Sequence, residues 1–144
     1  MGNVDVMEDV VVIIDNDYVK ATYIPKHKLV TVTWHGQVSS ENYRGTYNTV
    51  LDYQKSQMDK MPVTNFMADI RNQGVVNPSD RKWFEEVAIQ RAISQGLKKT
   101  AVVTDANVFK KYYLNLILKA TNKFGLPLKL VATPEDAIEF FKSA

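Results

Sequence analysis

The stretch from Val63 to Val87, VTNFMADIRNQGVVNPSDRKWFEEV, constrains the fold more than any other. It reads as a buried strand, a polar turn and the start of an amphipathic helix. Phe66, Ala68 and Ile70 share one face of the strand, and Met67 takes the other. Apolar groups on both faces predict a central strand covered by helices on both sides. Asp69 and Arg71 break the pattern. They lie two residues apart and point the same way, near the strand's C-terminal end. A charge left dry and unpaired there is strongly destabilising. Two arrangements remain open. Asp69 accepts hydrogen bonds from turn amides and pairs with Arg71, or both residues stand at the rim of a ligand site. In open α/β sheets the crevice beyond the strand C-termini is the usual binding place.

Asn72, Gln73 and Gly74 mark the turn. Asn77 suits the N-cap of the next helix, Pro78 its first position, and Asp80 a reach back to the cap as in a capping box. Trp83, Phe84, Val87, Ala88 and Ala92 form the expected apolar face. Glu85 and Glu86 are expected on the solvated side.

The flanking chain repeats this grammar. Val10–Asp15 is a short strand or a tail, and Asn16-Asp17 ends it. Two alternating runs follow. Val19, Ala21 and Tyr23 share a face in the first, and Val30, Val32 and Trp34 share one in the second, which predicts an antiparallel hairpin with one solvated face. Ser39 or Ser40 caps a helix running to about Lys60, on whose apolar face lie Tyr43, Tyr47, Val50, Leu51 and Met58. Gly45 inside it marks either a close packing contact or an exposed position without consequence. Gly96 reads as the residue just past the second helix. A β-rich run at Lys99–Thr104 precedes a third helix, capped by Asp105 or Asn107, with an apolar stripe from Val108 to Phe124. Leu128–Ala132 is the last strand, and Thr133-Pro134-Glu135-Asp136 starts the last helix. The order predicts a single α/β domain over residues 1–144, with residues 1–16 a tail or a short extra strand. It has a mostly parallel sheet with right-handed crossovers, an N-terminal antiparallel hairpin and about four helices.

The segment ADIRNQGVVNPSDRKW, followed by GLKKTAVV, resembles the SpoIIAA-like group of small bacterial domains. That group is related in fold to STAS domains and, more distantly, to CRAL-TRIO lipid-binding domains. The upstream VTWHGQVSSENYR and the final TPEDAIEFF fit the same pattern, so the likeness spans residues 18–142. The resemblance implies a SpoIIAA-like sheet and a non-catalytic binding role in the cytoplasm. In the anti-anti-sigma-factor branch a serine at the helix start after a central strand is phosphorylated. Here only Ser79 stands at that place, without the doubled serine and the glycine of that motif. The CRAL-TRIO relationship implies an apolar ligand between helices and sheet, for which Phe109, Tyr112 and Tyr113 would line the pocket. Their alternative role is to pack on the sheet or to form a homodimer interface.

Composition narrows the chemistry. The chain has no cysteine, which removes disulfides, thiolate metal sites and a cysteine nucleophile, and fits a reducing compartment. Its formal net charge of +2 gives no case for nucleic acid. Residues 1–72 carry seven Lys/Arg against nine Asp/Glu, and residues 73–144 carry eleven against seven, so the second half better suits an acidic partner or lipid headgroup. The start of the chain lacks a signal-peptide pattern, and the apolar run at Val10–Ile14 is too short to span a bilayer. His27, in a basic hairpin turn, and His35, at a strand end, are the only histidines. No metal site or cofactor is expected. Ser79, His35 and Asp69 or Asp105 compose a triad only on paper, since no G-x-S-x-G elbow, Walker loop or dinucleotide fingerprint is present.

The expected function is therefore a regulatory protein-interaction module. Its binding rim comprises Asp69, Arg71, Asn72, Ser79, Trp83, Thr104 and Asp105. A carrier or sensor of a small apolar or anionic, lipid-like ligand is the alternative, and an enzyme of unknown reaction the third.

Overall fold

The computed structural model describes residues 10–104, 115–116, 119 and 121–143. Six strands form one sheet: β1 (Val11–Asp15), β2 (Val19–Ile24), β3 (Leu29–Gly36), β4 (Thr64–Gln73), β5 (Leu97–Val103) and β6 (Leu128–Val131). They lie in the order of the chain. β1, β2 and β3 run antiparallel, and β3 to β6 run parallel. The helices are α1 (Ser40–Ser56), α2 (residues 78–94), α3, of which residues 115–116, 119 and 121–124 are described as helical, and α4 (Pro134–Lys142). The α/β class, the mostly parallel sheet and the N-terminal antiparallel strands are as the pattern predicts. Val11–Asp15 is a strand and pairs with β2, so the hairpin becomes a three-stranded meander.

Sequential strand order settles where the helices go. Each parallel crossover steps to the next neighbour in one direction, and right-handed crossovers of that kind all fall on the same face. Val30, Val32, Trp34, Ala68, Ile70 and Val102 accordingly meet Tyr43, Tyr47, Val50, Ile89 and Leu116 in one core. The opposite face carries Leu29, Met67, Ala101, Val103 and Val131, and α4 covers it with Ala137, Ile138 and Phe141. The expected cover on both sides of β4 is present; among the described residues the helix that covers the second side is the C-terminal one.

Helix starts follow the local chemistry. Ser39 Oγ accepts from Asn42 N, Asn77 Oδ1 from Ser79 N and Thr133 Oγ1 from Asp136 N. Helix α1 ends at Ser56, short of Lys60. Gly45 is exposed within α1, and a Cβ there would meet nothing within 4 Å. Gly45→Ala should therefore raise unfolding free energy by up to about 1 kcal/mol, read by urea denaturation. A loss of stability would mean that the position is packed after all.

Helix α2 departs from the expected face. Its turn at Phe84–Ala88 is π-helical. A π turn holds an extra residue and rotates what it carries relative to the α-helical stripe. Glu85 is consequently buried at 8% exposure, and Val87, expected in the core, is 49% exposed. Ile89 takes an inward position instead. Glu85 finds a cation in Lys119, whose Nζ lies 3.6 Å from its Oε1.

Candidate functional site

The carboxyl ends of β3 and β4 converge on the rim expected from the sequence. Gly36 lies beside Gln73 in the register, and Gly74 N donates to Gly36 O. Asp69 points to the α4 face, as Met67 does, and is buried. Arg71 closes on it with a two-point contact, Nε to Oδ1 at 3.0 Å and Nη2 to Oδ2 at 2.7 Å. The Arg71 amide adds a third bond to Oδ1 at 3.2 Å. Pairing and rim position thus coincide. Bidentate geometry is the strong form of this contact and supplies the buried carboxylate with hydrogen-bond donors.

Beyond the pair the chain leaves the sheet at Gly74–Asn77. Gln37 brackets this loop: its Nε2 donates to Val75 O at 2.7 Å and its Oε1 accepts from Val75 N at 3.1 Å. The side-chain amide thus does for Val75 what a neighbouring strand would. Gly74 leaves the room for it, since a Cβ there would stand 2.5 Å from Gln37 Oε1. The outcome is an apolar side chain, Val75, 68% exposed on a backbone that is tied down. Asn72 and Ser79 are exposed on the same rim. Thr104 donates its amide to Val131 O at 2.9 Å. Asp105, Phe109, Tyr112 and Tyr113 lie outside the described residues.

Asp80 does not complete a capping box. Its side chain turns away from the cap into the junction of α1 and α2, where it is buried. Ser40 Oγ donates to Asp80 Oδ2, and Arg44 Nε donates to Oδ1 at 2.8 Å. Burial alone would raise the Asp80 pKa, but these hydrogen bonds and the Arg44 charge prevail and hold it below its ordinary value. Arg44 Nη2 also reaches Ser79 O at 3.3 Å, and its guanidinium lies over the Trp83 ring at 5.4 Å. Trp83 in turn packs edge-on against Tyr43, with ring centres 6.5 Å apart. Trp83 is thus a half-buried bracket between α1 and α2 rather than a free rim contact. The Ser79 hydroxyl donates to Asn77 Oδ1 at 2.8 Å. Ser79 opens a helix on one face of the sheet and Asp69 projects from the other, so the triad written with Asp69 does not assemble; the version with Asp105 lies outside the described residues.

Between α1, α2 and the sheet lies an apolar cavity of 40 Å³, walled by Tyr47, Val50, Phe84 and Leu97 among others. Thr100 borders it, and its hydroxyl is the one buried side-chain group without a partner among the described residues. A space of that size has room for no more than about a few water molecules. Among the described residues no three metal-ligating side chains converge, and no helix is long and apolar enough to cross a membrane.

A second concavity opens at the other end of the sheet. It measures 370 Å³ and is bordered by Lys26, His27, Lys28, Lys98, Lys99 and Lys142. The lysines come from the β2–β3 link, the start of β5 and the end of α4. Reading the chain in order separates them by more than a hundred residues, and only the parallel register gathers them. The lone signal was the KHK run at 26–28, which looks solvated by itself. His27 is in fact half-buried, and its pKa is lowered by burial and by the charges of Lys26 and Lys142.

Neither a scan of protein-family models nor a search of curated proteins finds a match to this chain.

Proposed function

We propose that this chain is a non-catalytic, cytoplasmic protein-interaction module of the SpoIIAA-like, STAS-like type, and that it docks its partner on the rim at the carboxyl end of β4. The observation that carries this reading is the bracketed loop. An exposed valine on a backbone pinned at both its N–H and its C=O costs little ordering on association. Aliphatic exposure of this kind at the carboxyl end of β4 suits the small apolar centre of a protein interface.

A photo-crosslinker placed at position 75 should capture the partner from extracts of the source cells. With that partner purified, Val75→Asp should weaken binding by about tenfold or more, as burying an unpaired charge would. Arg71→Ala should weaken it less. If both variants fold and bind as the unaltered chain does, the rim assignment fails.

A further inference from the structure

The basic cleft at the amino end of the parallel strands stands apart from the rim. The fold accounts for only one of its lysines. Lys99 Nζ donates to Phe140 O at 3.2 Å and to Ser143 O, so it closes the C-terminus of α4 and complements the negative end of that helix. Among the described residues Lys26, Lys28, Lys98 and Lys142 have no carboxylate partner and no acidic side chain borders the cleft. Like charges gathered in a concave space repel one another and gain nothing for folding. Lys28 further adopts the left-handed backbone, φ 52°, the one residue other than glycine with positive φ among the described residues. A strained position that glycine or asparagine would fill more easily instead carries another cation to the cleft. The pKa of His27 is lowered first by burial and then by the charges of Lys26 and Lys142.

We propose that this cleft binds a small phosphate-bearing anion with an apolar part. Its volume falls within the range of small-ligand sites, about 300–1,000 Å³. Four uncommitted ammonium groups are point charges on flexible stems, suited to phosphate oxygens in more than one orientation. Val63, 38% exposed, and Phe141 give the apolar wall for the rest of the ligand. A free phosphorylated metabolite and a phosphorylated lipid headgroup share this chemistry.

The test uses the full chain. Inorganic pyrophosphate is titrated by calorimetry and by NMR of the His27 ring. Separately, the chain is sedimented with phosphatidylcholine vesicles, with and without phosphatidylinositol phosphate. Binding of pyrophosphate that shifts the His27 resonances supports the site and a free anion as its source. Retention on the phosphoinositide vesicles alone supports the site and a headgroup as its source. In either case Lys98→Gln with Lys142→Gln should cut affinity by about tenfold or more while leaving Tm equal or higher, because charge repulsion is relieved. Absence of binding in both arms overturns the proposal, as does binding that persists unchanged when Lys26, Lys28, Lys98 and Lys142 are all glutamine. The cleft and the rim lie at opposite ends of the sheet, so either assignment can fail without the other.

Discussion

Gly96→Ala is expected to destabilise the protein by about 4 kcal/mol and to lower Tm by roughly 10–15 °C. Two effects act together. Gly96 sits just past α2 with φ at +109°, a conformation costly for any residue with a Cβ. A Cβ built there would also stand 2.1 Å from Pro62 O and 2.9 Å from its carbonyl carbon. The obstacle is backbone, and it cannot swing aside. Thr64 N donates to Gly96 O at 2.9 Å, which ties the same two loops together. Gly125→Ala is the control. Gly125 has φ +67° but nothing within 4 Å of a built Cβ, so only the backbone term of about 1–2 kcal/mol applies. Chemical denaturation of both variants separates strain from clash. Equal losses would show that the 60–64 loop yields, and that its approach to Gly96 is not a fixed feature of the fold.

Arg44→Ala is expected to cost about 2–3 kcal/mol. It leaves the Asp80 carboxylate buried with Ser40 as its remaining side-chain donor. The loss falls short of that for a fully enclosed pair because the Arg44 side chain is 39% exposed and water already screens part of the contact. Asp80→Ala should cost less, about 1–2 kcal/mol, since Arg44 and Ser40 can turn to solvent and no buried charge is orphaned. Losses in the double variant should be smaller than the sum of the two. Acid gives a second handle. The folded pKa of Asp80 lies below its ordinary value of 3.8, so the unfolded chain takes up the proton first as pH falls. The stabilisation is complete above the ordinary value and disappears as pH drops through the folded one. Asp80→Asn should therefore flatten the stability curve below about pH 4. An unchanged acid limb, or Asp80→Ala costing more than Arg44→Ala, would contradict this account.

Much of the architecture was legible because it rests on local rules. Alternation placed Val30, Val32 and Trp34 inward, and caps at Ser39, Asn77 and Thr133 start the helices where their oxygens serve orphan amides. Proximity of two residues along one strand made pairing of Asp69 with Arg71 one of the two arrangements left open, and the structure shows that pair. Helix α2 shows where periodicity stops informing. Its π turn exchanges Glu85 and Val87 between core and solvent, and a 3.6-residue stripe carries no signal of the inserted residue.

Other contacts depend on residues far apart in the chain, and no local pattern contains them. Gln54 donates to Thr64 Oγ1 at 3.0 Å, and Gln95 donates to Leu51 O at 3.0 Å and to Gln54 Oε1 at 2.9 Å, a buried knot joining α1, α2 and the start of β4. Asp80 reads as a capping residue until α1 comes alongside and Ser40 and Arg44 reach it across some 36–40 residues of chain. Likewise His27 and its lysines become one positive cleft only when β3, β4 and β5 align their starts and α4 returns across them. The sequence by itself determined the class, the order of strands and helices after the first strand, and the caps at Asn77 and Thr133, because those follow from nearest neighbours and side-chain period. The tertiary structure alone decided which charges are buried, which are paired and which face one another, because desolvation and Coulomb energy depend on distance in space and not on distance along the chain.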